Sequence, residues 1–273
     1  MSPEASCWTI PPGRFTRRLL VGSRGGGPSG KRGCALRKLG IIGGTSWHST
    51  ALYYEQINRG VAQRLGGLHS AALAIESLDL APFAEMELSG DWDGVARVTI
   101  EAAKRLVVSG AEGVIITSNT GHKVFEAVAA NIDVPMLHIG DATADRLVAD
   151  RQKHVALLGT RFTMTEPHVR SRLEARGITL APIEPSWIHE VDRIIFEELA
   201  AGRVVRDSQR KLKTLITELA KQKVQAVVLG CTELVLAVET RANVIPVYDT
   251  TAIHARACVE WMLSEEEQAR AAA

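Results

Sequence analysis

Two turns in this chain carry the residue types best suited to chemistry. In Val227-Val228-Leu229-Gly230-Cys231-Thr232-Glu233-Leu234, a short run of aliphatic and β-branched residues ends in Gly. Cys231 then stands where a buried strand hands over to a helix. A thiol at that place meets backbone N–H groups at the positive end of a helix, which favours thiolate over thiol. The competing reading is a small buried hydrophobe, the usual fate of an unpaired cysteine. A second segment, Ala111-Glu112-Gly113-Val114-Ile115-Ile116-Thr117-Ser118-Asn119-Thr120, has the same shape and puts Ser118 in the place of Cys231.

Other candidate chemistries fare less well. His122 follows Ser118 closely, but no GxSxG elbow surrounds the serine, so His122 reads as a hydrogen-bonded structural histidine. Gly40-Ile41-Ile42-Gly43-Gly44 departs from the GxGxxG dinucleotide pattern. With Thr45 and Ser46 it reads better as a turn whose N–H groups meet an anion at a helix start. His48, His69, His168, His189 and His254 lack metal-ligand spacing, so no metal site is expected. Cys258 reads as core, and Trp47, Tyr53 and Tyr54 as packing residues.

The elements that must position the two turns alternate in type. Strands are expected at 39–44, 71–78, 114–116 and 135–139, with helices at 47–64, 94–109, 124–130 and 141–149. A loop containing Asp79, Pro82 and Gly90 lies between them. The order then begins again. Strands at 154–158, 224–229 and 244–247 alternate with helices at 164–175, 188–201, 206–221, 233–238 and 250–263. This is an α/β pattern with parallel-type sheets flanked by helices. Leu39-Gly40-Ile41-Ile42-Gly43-Gly44-Thr45 matches His154-Val155-Ala156-Leu157-Leu158-Gly159-Thr160. Val134-Pro135 ahead of Asp141 likewise matches Ile245-Pro246 ahead of Asp249. The repetition predicts two similar domains, 38–150 and 151–264, with the last helix packing back on the first. A pseudo-two-fold relation would set Ser118 and Cys231 on opposite sides of one cleft, at the strand ends where α/β sheets hold ligands.

Composition narrows the classes. The 273 residues are 46% hydrophobic and 23% charged with a formal net charge of +1, which gives no reason to expect a nucleic-acid or anionic-membrane partner. No run approaches the roughly 20 apolar residues of a membrane span. Four scattered cysteines without a CxxC pair fit a reducing, cytoplasmic setting. Residues 1–37 differ: Arg14, Arg17, Arg18, Arg24, Lys31, Arg32 and Arg37 stand against the single acid Glu4, around Gly25-Gly26-Gly27-Pro28-Ser29-Gly30. They read as a disordered basic extension, with a transit peptide as the alternative. Residues 265–273 read as a frayed tail.

Taken together, three stretches resemble the aspartate/glutamate racemase family. They are Gly43-Gly44-Thr45-Ser46-Trp47-His48-Ser49-Thr50 with Tyr53, Tyr54 and Asn58; Ser118-Asn119-Thr120-Gly121-His122-Lys123; and Gly230-Cys231-Thr232-Glu233-Leu234. The resemblance runs from about residue 38 to 263. It implies a cofactor-independent racemase of two α/β domains, acting on a small-molecule amino-acid substrate and assembled as a homodimer. Two catalytic residues face each other across the substrate α-carbon, and they carry over as Ser118 and Cys231. Thr45, Asn119, Thr120 and Thr232 carry over as donors to the substrate carboxylate. Racemisation needs an acid and a base on opposite faces, and a thiol whose ordinary pKa is about 8.5 can serve near neutrality if that value is lowered.

Two features depart from the pattern. Many members have Cys where this chain has Ser118, and a serine is a poor base. Cys231 is then expected to abstract the proton and Ser118 to relay its return, biasing the direction. Aspartate or glutamate is the implied substrate, yet Arg203 is the one basic candidate near the helix end where relatives bind a second carboxylate, and Glu87 and Glu190 would oppose it. A single-cysteine decarboxylase or isomerase of the same superfamily, or a weakened small-molecule binding protein, remains the alternative.

Overall fold

The computed structural model describes residues 36–240 and 242–264, so nearly all of the basic segment 1–37 and the tail 265–273 lie outside the described residues. The chain opens with β1 (Leu39–Gly43), α1 (Trp47–Leu65), β2 (Leu73–Ser77), α2 (Leu80–Ser89), α3 (Trp92–Val108) and β3 (Gly113–Ile116). A 3₁₀ turn at Thr120–Val124, α4 (Phe125–Ala129) and α5 (Ile139–Ala149) follow. The second series is β4 (His154–Gly159), α6 (Arg161–Thr165), α7 (Pro167–Glu174), β5 (Thr179–Leu180) and α8 (Pro185–Arg193). The last of these runs on as a π-helical turn, Ile194–Leu199. Then come α9 (Arg206–Lys221), β6 (Ala226–Gly230), a 3₁₀ turn at Thr232–Leu236, β7 (Val247–Asp249) and α10 (Thr250–Leu263).

The strands form two sheets, ordered β2-β1-β3 and β5-β4-β6-β7. Every pair is parallel. The sequences Leu-Gly-Ile-Ile-Gly of β1 and Ala-Val-Val-Leu-Gly of β6 are buried at every position. Continuous apolar runs of this kind belong to parallel strands covered by helices on both faces.

Alternation along the strands sorts residues to opposite faces. In the first sheet Ile42, Val114 and Ile116 pack with Val95, Ala102 and Leu106 of α3. Ile41 and Ile115 turn the other way, toward Tyr53 and Ile57 of α1 and Cys258 and Met262 of α10. In the second sheet Leu158, Val227 and Leu229 face Val191 of α8 and Leu212 of α9, while Val155, Leu157 and Val228 face α5 and α7 through Ile139, Leu147, Val169 and Leu173. The last helix therefore covers the first sheet, and α5 covers the second. At full burial each such Leu or Ile contributes about 1.5–3 kcal/mol.

Four local expectations are corrected. The loop expected around Asp79, Pro82 and Gly90 is helix α2. Asp79 caps its start by accepting from Ala81 N–H, Pro82 sits in the tolerant first turn, and Gly90 closes it in the left-handed region at φ 81°. The helix expected at 164–175 is two helices, because Pro167 forces Glu166 into extended backbone (ψ 160°). The strand expected at 135–139 shrinks to one bridge, Val114 to Met136, and that at 244–247 appears as Val247–Asp249.

Candidate active site

Ser118 and Cys231 arise from matching junctions. β3 ends at Ile116, and two residues later Ser118 precedes the 3₁₀ turn starting at Thr120. β6 ends at Gly230, and Cys231, in extended backbone (φ −151°, ψ 129°), immediately precedes the 3₁₀ turn starting at Thr232. Both side chains line one cleft of about 580 Å³, open mouth included, together with Thr45, Asn119, Thr120 and Thr232. All six residues singled out from the sequence thus meet in one place. Gly44 precedes the lining residue Thr45. Its φ of +84° suits glycine, and a Cβ there would fall 2.0 Å from the carbonyl oxygen of Leu78.

The two junctions differ sharply in their electrostatics. Cys231 is buried, and its thiol donates to Glu233 Oε2 at 3.1 Å. The same oxygen accepts from Thr232 Oγ1 at 2.7 Å, and Glu233 Oε1 accepts from Ser49 Oγ at 3.1 Å. Ser49 Oγ also lies in contact with Thr232 Oγ1, so its one hydrogen is shared between Thr232 and Glu233. Burial first, and then the Glu233 carboxylate, push the thiol well above its ordinary value, although backbone N–H groups at Glu233 and Leu234 pull it down. This corrects the expectation of a resting thiolate. The helix after Cys231 is a single 3₁₀ turn, whose dipole is too short to outweigh desolvation and a carboxylate in contact.

Ser118 has no comparable partner. Its Oγ accepts from Gly121 N–H at 3.1 Å. His122 turns away from it: Nδ1–H donates to the Ser118 carbonyl at 2.7 Å and Nε2 accepts from Ile139 N–H at 3.1 Å. Both ring nitrogens are occupied by backbone, so His122 is the structural histidine the sequence suggested.

Several polar atoms in the cleft await partners. Thr45 Oγ1, Asn119 Oδ1 and Glu87 Oε1 are buried without a hydrogen bond. Thr250 Oγ1 donates to Leu229 O at 2.8 Å, so it must accept from Asn119 Nδ2 at 3.1 Å, which leaves Oδ1 as the unpaired end. Thr120 Oγ1 pairs with Thr160 Oγ1 at 2.9 Å. Thr232 directs its hydroxyl hydrogen to Glu233, so of Thr232 only the backbone N–H is left to offer a substrate. Among the described residues no group of three His, Cys, Asp or Glu is arranged to hold a metal ion, and no helix is long and apolar enough to cross a membrane.

Other expectations fall outside the cleft. Arg203 donates to the Glu197 carbonyl at 2.5 Å and does not line the cleft, and Glu190 is held by Arg193 and Lys211. Tyr53 is buried and bonded to His254 Nδ1 at 2.9 Å, as a packing residue should be, but Trp47 and Tyr54 are 67% and 52% exposed. The role of Glu233 was missed, although its place two residues after Cys231 was visible. Glu87 follows Phe83 by four residues and so shares its buried face, a spacing that marks it in the sequence.

The model of the Asp/Glu/Hydantoin racemase family matches residues 42–258. The chain is 24% identical over 230 residues to the broad specificity amino-acid racemase RacX of Bacillus subtilis, covering 83% of this chain and 98% of that protein. A candidate Asp/Glu racemase of Yersinia pestis superposes with TM-score 0.78 at 40% identity, over 84% of this chain and all of that one. An aspartate racemase homologue from Pyrococcus horikoshii does so with TM-score 0.71 at 32% identity, again over 84% and 100%.

Proposed function

Because this chain belongs to the Asp/Glu/Hydantoin racemase family, we propose that it racemises an α-amino acid without a cofactor, moving the α-proton between Cys231 and the Ser118 side of the cleft. The observation that carries the reading is the single cleft lined by both junctions, with a thiol–carboxylate pair on one and a hydroxyl on the other. The halves 38–150 and 151–264 supply the two walls.

The substrate carboxylate binds the unpaired Thr45 hydroxyl and the leading N–H groups of the 3₁₀ turns at Thr120 and Thr232. The substrate ammonium is held by Asn119 Oδ1, and its charge favours transfer of the thiol proton to Glu233. The Cys231 thiolate takes the α-proton. The electron pair left on carbon spreads onto the carboxylate, where the N–H groups stabilise it. A proton then returns from the opposite face through the Ser118 hydroxyl, which is refilled from solvent, while Glu233 releases the proton it took from the thiol to solvent. Ser118 has an amide N–H at its oxygen and no base bonded to it, so the proton leaves readily toward Cys231 and poorly toward Ser118. The proposal therefore includes a directional bias.

The acidic substrate implied by the resemblance gains no support from the lining, which contains no Lys, Arg or His. The scattered cysteines support a cytoplasmic setting, and the homodimer rests on the resemblance alone. Chiral chromatography of incubations with L- and D-amino acids tests the reading. The purified protein should convert at least one, and Cys231→Ala should lose all conversion while staying folded. Carbon dioxide release from substituted malonates without conversion of any amino acid would assign the decarboxylase instead.

A further inference from the structure

Helix α2 presents Leu80, Ala84 and Glu87 to the cleft, the spacing of one helix face. Across from them the π-helical turn and its exit supply Ile195, Phe196 and Ala200. The side-chain end of the cleft is thus apolar but for Glu87. That carboxyl is 6% exposed, and its Oε1 has no hydrogen-bond partner. The nearest cation, Lys123, pairs with Glu166 at 2.6 Å and lies 3.8 Å above the Trp92 ring, outside the lining. Burial pushes Glu87 up to about 7, with Lys123 opposing. A buried acceptor without a donor is costly to leave bare, and a folded protein keeps one where a ligand completes it.

We propose that Glu87 is the specificity-determining residue of this cleft and selects an α-amino acid whose side chain ends in an N–H or O–H donor, an ammonium above all, against one ending in carboxylate. A donor tip satisfies Glu87 Oε1 while its methylene stem packs between Leu80, Ala84 and Ile195. A second carboxylate would enter a lining that holds two carboxyl groups, Glu87 and Glu233, and no cation. This inference rests on the racemase reading and names the substrate class for it.

The test is α-proton exchange in D2O, followed by NMR, for ornithine, lysine, glutamine, homoserine, glutamate and aspartate. Ornithine or lysine should exceed glutamate by about ten- to a hundredfold in kcat/KM. Glu87→Gln, close in shape and checked for an unchanged fold, should cut the cationic substrates about tenfold, mainly through KM, and raise glutamate relative to them. Glutamate or aspartate as the preferred substrate of the native protein would overturn the proposal and leave the racemase standing. Equal loss on every substrate in Glu87→Gln would also overturn it, placing Glu87 in proton transfer. Should no amino acid exchange, the racemase reading fails, and titration calorimetry on the same panel decides this proposal by whether donor-ended amino acids bind tighter than acidic ones and lose that advantage in Glu87→Gln.

Discussion

At the scale of single residues, the two proposed proton carriers of the cleft are unequal. Cys231 has a carboxylate in contact, whereas Ser118 Oγ has one amide N–H. The resting thiol is held protonated by burial and by Glu233, so the proposed reaction needs the substrate to draw that proton off. Alkylation by iodoacetamide, read at the Cys231 peptide by mass spectrometry, should be slow at pH 7 and rise only at pH above the ordinary thiol value of about 8.5. Fast alkylation at pH 7 would show a resting thiolate and contradict this electrostatic balance. The strand-to-turn position of the thiol was legible in the sequence, whereas the direction of its pKa shift was not. A helix start is legible in a pattern, whereas the depth of burial and the side chain that folds back on the sulfur are tertiary facts.

At the scale of elements, what was legible follows the same division. Buried strands with unbroken apolar runs, β1, β3, β4 and β6, were readable because a parallel strand covered on both faces leaves that signature. The junctions at Ser118 and Cys231 were readable because their strand-to-turn patterns repeat. Helix α2 was not, since Asp79, Pro82 and Gly90 are loop residues by type and become caps and a first-turn proline only in context. Glu87 was singled out as opposing a second carboxylate, but its place on a helix face aimed at the cleft was not legible. The π-helical turn at Ile194–Leu199 has no sequence marker that we recognise, yet it brings Ile195 and Phe196 to the lining. Gly44 tests how tightly an element is fitted here. Gly44→Ala meets the Leu78 backbone and a positive φ together, and should lower stability by about 2 kcal/mol or more in urea unfolding. A change near zero would mean that the β1–α1 turn yields easily.

At the scale of the whole molecule, the two sheets are tied by exchanged helices, α10 on the first and α5 on the second. Between them lie buried histidines whose rings accept from neighbours: His122 from Ile139 N–H, His138 from Gly140 N–H, and His254 from Tyr53 O–H while its Nε2–H donates to Leu137 O. Burial lowers His138 to about 3 and His254 to about 4, and puts His122 well below its ordinary value of 6.5. Each folded pKa lies below the unfolded one, so the unfolded chain binds more protons as the pH falls. Their contribution is complete above about 6.5 and is lost progressively toward about 4 for His254 and about 3 for His138. In Glu87→Gln, where the opposing gain from protonating the raised Glu87 carboxyl is absent, the melting temperature should therefore drop from pH 6.5 to pH 4.5, and a flat profile over that window would show that these rings are not held neutral. The central claim, that one cleft carries a proton between unequal partners, is tested most directly by initial rates of α-deuterium wash-in from each enantiomer of the preferred amino acid. The account predicts faster exchange from the enantiomer whose α-proton faces Cys231, none in Cys231→Ala, and near-equal exchange from both in Ser118→Cys. Equal rates from both enantiomers in the native protein, or exchange that survives Cys231→Ala, would contradict it.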